Sequence, residues 1–406
     1  MDNDKLVNAY ADLVVRAGCN LQPGQRLLIQ TFVEHADFAR AITRAAYAAG
    51  ARYVEVDYED QHVRKAMIEH APDEILTWTP PHALTRTRSL AEDKAAFVWI
   101  AGAPDPDIFS GLDAARVGKA RMLELSEETT KQVNDRSVAW AIVAYPNEGW
   151  AEAVFGEPDV DKLWDAVARA TRLYDDDPVA TWWEHMDLLA ARAATLNDLG
   201  LDALRYTGAG TDLTVGLLPG SRWMSAGFET CWGQRHIPNL PTEEVFTTPD
   251  RTRTEGTIRS TRPLVLEGEG VTVNDLEMRF ENGKAVDVTA SSGADVLRAQ
   301  MATDEYGGYL GEVALVDKSS AVGATGVTFK NTLFDENATS HIAFGAGFTF
   351  AVDGADGLGP EEQIAAGINH SKVHTDFMVG GAEIRIDGIT RDGKTVPLIH
   401  DDTWQI

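Results

Sequence analysis

Four strings in the second half of this 406-residue chain hold side chains able to do chemistry. In Lys372–Val379 (KVHTDFMV) the alternation of a strand puts His374 and Asp376 on one face and Val373, Thr375, Phe377 and Val379 on the other. An imidazole and a carboxylate side by side on rigid β structure make half of a metal site, the plain alternative being a solvated strand face. Asn331–Phe344 (NTLFDENATSHIAF) sets His341 between small polar residues and an apolar stretch that runs into Gly345-Ala346-Gly347, with Asp335 and Glu336 read as caps. In Tyr309–Ser320 (YLGEVALVDKSS) Glu312 opens an otherwise apolar strand, where a carboxylate needs a partner or the strand's wet end. Asn239–Phe246 (NLPTEEVF) carries adjacent acids, Glu243 and Glu244, behind a Leu-Pro turn. Neighbours in extended chain point apart, so at most one of them serves a given site. Together the strings offer three carboxylates and two imidazoles, the ligand number and type of a hydrolytic centre with two divalent ions. Such ions lower the pKa of a water and polarise a carbonyl.

Positioning these groups takes two kinds of architecture. Arg26–Thr31, Tyr53–Val56, Phe97–Ala101 and Val138–Ala144 read as short buried strands separated by helical stretches such as Phe38–Ala48, the pattern of βαβ units with a parallel sheet. Val160, Leu163, Trp164 and Val167 share a helix face, and Asp177-Pro178 caps and opens a second helix, so 160–199 is expected to bridge two domains. Trp182 and Trp183 are read as packing residues of that second helix. Beyond residue 200 the texture changes to strands with turn signals: Thr211–Leu217, Ala285–Val288, Glu312–Val316, Val327–Phe329 and Glu383–Ile386. The expectation is an α/β protein: residues 1–199 as an N-terminal parallel-sheet domain with bridging helices, and 200–406 as a mixed, sheet-rich domain that carries the site.

Composition removes other classes. Thirty-six Lys and Arg stand against 63 Asp and Glu, a net charge of −27, and no basic cluster relieves it, so neither nucleic acid nor an anionic membrane is an expected partner. Two isolated cysteines, Cys19 and Cys231, build neither a disulfide framework nor a thiolate metal site, which leaves histidine and carboxylate as metal ligands. The N-terminal Met-Asp-Asn-Asp-Lys lacks the order of a signal peptide and no apolar run is long enough to span a bilayer, so the expected location is the cytoplasm. A P-loop, a complete dinucleotide fingerprint and a Gly-x-Ser-x-Gly elbow are all missing from the sequence.

The four strings, with Asn20–Gln25 (NLQPGQ) and Gly208–Thr214 (GAGTDLT), resemble the M29 metalloaminopeptidases, the aminopeptidase T and aminopeptidase S group, nearly end to end. The resemblance implies metal ligands at Glu244, Glu312, His341, His374 and Asp376, Glu244 being chosen over Glu243 as the acid just before the Val-Phe pair. It further implies a dinuclear zinc, cobalt or manganese site, Glu312 as a ligand that also carries a proton, a homodimer enclosing a large cavity, and release of N-terminal residues from short peptides. One position departs from the family. Seven residues after its active-site histidine the family carries a tyrosine assigned to catalysis, and here that place in the substrate site is Phe348. A lost oxyanion donor costs roughly 100- to 1,000-fold in rate, so another group, such as Tyr306 or Tyr309, supplies the hydroxyl, or the chemistry has changed, or the position tolerates Phe with slower peptide hydrolysis. Two rival readings follow: a mononuclear ferrous dioxygenase of the 2,5-dihydroxypyridine type using His341, His374 and Asp376, and a specialised amide, ester or lactam hydrolase.

Overall fold

Strands rich in β-branched and apolar residues on both faces need cover on both sides, and helices supply it here. In the computed structural model, which describes residues 3–266 and 269–406, Arg26–Phe32 (β1), Tyr53–Glu59 (β2), Ala96–Ala101 (β3) and Ala139–Ala144 (β4) form a parallel sheet in the order β2-β1-β3-β4. Met1 and Asp2, which begin the N-terminal stretch discussed above, lie outside the described residues. The helix Ala36–Ala48 lays Phe38, Ala39, Ile42 and Ala46 onto the core at helical spacing. Asp177 accepts a hydrogen bond from the Ala180 amide and Pro178 fills the first turn of the helix Pro178–Asp198, whose Trp182 is wholly buried and donates to the Thr171 carbonyl.

Two antiparallel sheets, with two short two-stranded ribbons beside them, dominate the C-terminal region. The larger runs β11-β10-β9-β6-β5-β15-β16-β17, from Leu201–Gly208 (β5), Thr211–Leu217 (β6), Pro249–Arg259 (β9), Glu277–Glu281 (β10), Lys284–Thr289 (β11), Ile384–Thr390 (β15), Thr395–His400 (β16) and Thr403–Trp404 (β17). The smaller runs β14-β13-β12-β8-β7, from Met224–Ser225 (β7), Val245–Thr247 (β8), Leu310–Leu315 (β12), His341–Gly345 (β13) and His374–Met378 (β14). Val327–Phe329 is not a strand. Side chains take up its backbone groups: Thr325 accepts from the Val327 amide, Asp335 accepts from the Phe329 amide at 2.9 Å, and Trp150 Nε1 donates to the Phe329 carbonyl at 2.6 Å. A ladder is therefore not needed to satisfy them.

The largest buried cluster draws on both regions, from Leu13, Val143 and Trp182 to Leu213, Val313 and Phe344. Backbone bonds cross between them too. The Ile142 amide of β4 donates to Pro238 at 2.6 Å, and the Leu240 amide donates back to Ile142 at 3.0 Å. The parallel sheet thus fixes the segment that delivers Glu243 and Glu244. Among the described residues no helix is long and apolar enough to cross a membrane.

Candidate metal centre

Register brings the acids and imidazoles of the smaller sheet together. Directly opposed residues of antiparallel strands point to the same face, and here Glu312 of β12 lies opposite Ala343 of β13, which lies opposite Asp376 of β14. Alanine between two carboxylates leaves open space above it. Two residues back along β13 and β14 on the same face stand His341 and His374, and Glu244 joins that face two residues before Phe246, which opposes Ala314. Glu244, Glu312 and His341 place ligand atoms all within 4.8 Å of one another, as do Glu312, His374 and Asp376. Glu312 belongs to both groups.

The donor set fits cations. Glu244 Oε2 is buried 3.0 Å from His341 Nε2 without a hydrogen bond, as expected of two lone-pair donors turned toward one point. Each imidazole is oriented through its other nitrogen: His341 Nδ1 sits 2.9 Å from the Glu336 carbonyl and His374 Nδ1 2.8 Å from that of Ala346. A proton held on Nδ1 leaves both Nε2 atoms free to ligate. His374 Nε2 is 3.1 Å from Glu312 and 3.5 Å from Asp376. The neighbouring Glu243 points the other way, paired with Arg172 at 2.7 Å and His185 at 3.0 Å. Period-two alternation separates the two adjacent acids as expected.

The electrostatics of the cage favour positive charge. Burial by itself would lower His341, but Glu244, Asp376 and Glu336 outweigh it and push the imidazole up to about 10. His374, only partly buried, is driven well above its usual range by Asp376 and Glu312, which outweigh its desolvation. Glu312 rises to about 7 because burial, with Asp376 and Glu244 nearby, outweighs His374. For Asp376 the balance goes the other way: His374 and His341 overcome burial and hold the carboxyl below its ordinary value.

The cluster forms one wall of a cavity of about 420 Å³, within the range of small-molecule sites. Trp99 and Trp140 of the parallel sheet, with Phe228, Phe246 and Phe348, give it apolar walls. Phe348 reaches the site, its ring centre 5.1 Å from that of His374, and it stacks on Phe350. Neither Tyr306 nor Tyr309 lines the cavity; both lie against Arg251. Two features of the wall were not foreseen from sequence. Arg121 and the buried Glu269 form an ion pair at 2.5 Å across the two regions. Glu336, expected as a cap, is a buried carboxylate of the cavity wall, while Asp335 is structural, accepting from the Phe329 and Asn331 amides and pairing with Arg262 at 3.0 Å. The short 3-10 turn Glu336–Ala338 follows neither helical nor strand periodicity, which is why no pattern exposed it.

A set of two imidazoles and three carboxylates, three of the five buried, in an apolar-walled cavity on a mixed α/β scaffold is the donor set of a metal-dependent hydrolase. The chain matches the family described as thermophilic metalloprotease (M29) over residues 3–404. It is 39% identical over 406 residues to aminopeptidase T of Thermus aquaticus, covering 98% of each chain. To aminopeptidase 2 of Geobacillus stearothermophilus it is 37% identical over 408 residues, covering 99% of this chain and 98% of that one. The solved structure of wild-type AmpT from Thermus thermophilus superposes with a TM-score of 0.86 at 37% identity, covering all of both chains. The chain belongs to the M29 metalloprotease family. The dioxygenase and specialised-hydrolase alternatives find no support in these relatives, each of which is an aminopeptidase.

Proposed function

We infer that this protein is a metal-dependent aminopeptidase that releases N-terminal residues from short peptides. The observation that carries the reading is the pair of ligand groups sharing Glu312 in the wall of an open, largely apolar cavity. Glu244, Glu312 and His341 would hold one divalent ion and Glu312, His374 and Asp376 a second, with zinc, cobalt or manganese suited to such mixed imidazole and carboxylate donors. When bound, such ions supply Lewis acidity toward the scissile carbonyl and a nucleophilic water near neutral pH. The chain's own part is positioning and proton handling. His341 and His374 are held by backbone carbonyls, and Glu312, the acid common to both groups, is the residue we assign to hold and pass a proton. Trp99, Trp140, Phe228, Phe246 and Phe348 exclude water and favour an apolar N-terminal side chain.

Glu312→Gln tests the assignment. It is expected to keep the fold, seen as an unchanged circular dichroism spectrum, and to abolish metal-dependent turnover of leucine p-nitroanilide. A fully active, metal-loaded variant would remove Glu312 from the mechanism. To the same reading belong a boundary between the regions near residue 199, supported by the helix end at Asp198 and the start of β5 at Leu201, and a cytoplasmic location, supported by two free cysteines. The homodimer rests on the family resemblance, and light scattering of the purified protein tests it.

A further inference from the structure

Arg121 is the one Lys or Arg among the described residues that line the cavity, and it belongs to neither group of ligand atoms. Its partner Glu269 lies beneath it. The Glu269 side chain is 2% exposed against 21% for Arg121, so it is chiefly the guanidinium that the cavity meets. Nε and Nη2 both reach one oxygen, Glu269 Oε1, at 2.6 and 2.5 Å, and among the described residues Nη1 has no partner. One edge of the planar fork is thereby taken. The other edge, made of Nη1 and the second hydrogen of Nη2, has the shape and charge that grip a carboxylate through both oxygens. An ion pair that only joined the two regions would need no accessible edge. The guanidinium is also set before any ligand enters. Arg121 lies between the helices Ala114–Lys119 and Leu123–Asn134, where Arg64 Nη2 donates to the Ala120 carbonyl at 2.9 Å. Gly118 lets the first of these helices come against the helix Ala294–Met301, for a Cβ there would stand 2.8 Å from that of Ala299. The next residue, Gln300, donates to Glu269 at 3.5 Å and accepts from Thr375 Oγ1 at 3.1 Å. Thr375 stands between His374 and Asp376 on β14, so Glu269 and Gln300 tie the guanidinium to the strand that carries ligands.

We propose that Arg121 receives the terminal carboxylate of a short peptide, on the departing side of the scissile bond, and so makes small peptide acids the preferred substrates. The assignment rests on the aminopeptidase reading and deepens it. A two-point contact there fixes the far end of the substrate while its first peptide bond lies at the Glu312 groups. A peptide that is amidated, or too long for its carboxylate to reach the guanidinium, brings no anion to that edge, which discriminates against both.

The test compares kcat/KM of the metal-loaded wild type and Arg121→Met on leucylglycine, leucylglycylglycine and longer leucyl-oligoglycines, each as the acid and as the C-terminal amide. Hydrogen bonds to a charged group are of a strength that corresponds to roughly 10- to 100-fold in affinity. The wild type is expected to prefer the acid by that factor at one of the two shorter lengths and to lose the preference at the longest. In Arg121→Met the preference is expected to vanish, chiefly through KM of the acid. A general loss from a weakened contact between the regions falls on acid and amide alike and cancels in their ratio. Glu269→Gln keeps the guanidinium and is expected to keep the preference. Should Arg121→Met fail to fold with Glu269 left unpaired, Arg121→Met combined with Glu269→Leu removes both charges together. An acid preference that is absent from the wild type or survives in Arg121→Met overturns the proposal. So does its equal loss in Glu269→Gln, which would make the pair a tie between regions and no more. A preference that Arg121 confers only on leucylglutamate α-amide, whose carboxylate is on a side chain, overturns the terminal assignment. If the wild type cleaves neither peptides nor anilides, the aminopeptidase reading falls, and calorimetry with the same uncleaved acids and amides still decides the role of Arg121.

Discussion

At the scale of single residues, the family resemblance implies a tyrosine where this chain carries Phe348. It stands beside His374 with a ring and no donor, and neither Tyr306 nor Tyr309 lines the cavity to compensate. Phe348→Tyr is expected to raise kcat on leucine p-nitroanilide by about 100-fold, the scale of one oxyanion donor, with little change in KM; an unchanged or lower kcat would mean that another group already does that work. A different residue governs stability. His236 is buried with neither ring nitrogen hydrogen-bonded, and burial lowers its pKa to about 4; His35, similarly buried, also falls to about 4. A folded-state value below the unfolded one, about 6.5, means the unfolded chain binds protons first as pH falls. Their contribution is therefore full above pH 6.5 and lost progressively between about 6.5 and 4, by roughly 3 kcal/mol each at most. His236→Leu removes two unpaired nitrogens and one titration, so its melting temperature is expected to fall less steeply than that of the wild type over that range. Parallel curves would show that His236 does not drive the acid loss.

At the scale of elements, the centre is a product of register. Ala343 of β13 is the small residue that lets Glu312 and Asp376 of the flanking strands face a common space. Ala343→Leu is expected to fill that space and reduce bound metal to a small fraction of the wild-type stoichiometry, measured by atomic emission, while the strands still pair; full metal occupancy would contradict this geometry. The strand strings themselves were legible, because period-two alternation already put His374 with Asp376 and set Glu243 apart from Glu244. The pairing of β12 with β13 and β14 was not. Which strands lie side by side, and in what register, is decided by long-range packing that no local string records. Glu336 escaped for a related reason, since a single turn without periodicity carries no facing information. Val327–Phe329 misled in the opposite sense, being apolar enough for a strand yet satisfied by Thr325, Asp335 and Trp150.

At the scale of the whole molecule, the parallel sheet was readable from four apolar runs with helices between them, whereas its service as a roof over the site was not. Trp99 and Trp140 reach the cavity from β3 and β4, and the Arg121–Glu269 pair ties that roof to the metal-site region. The surface, at a net charge of −27, would draw cations in general, so the specificity of the centre has to come from its fixed ligands rather than from the field. The most direct test of the central claim is to strip the protein of metal, reload it separately with zinc, cobalt, manganese and ferrous iron, and follow release from a panel of aminoacyl p-nitroanilides with metal content measured alongside. The expected result is turnover with zinc, cobalt or manganese at about two ions per subunit, abolished in His374→Ala. Loaded protein that releases nothing with any of the four would contradict it, leaving a scaffold that keeps the ligands of this family without its reaction.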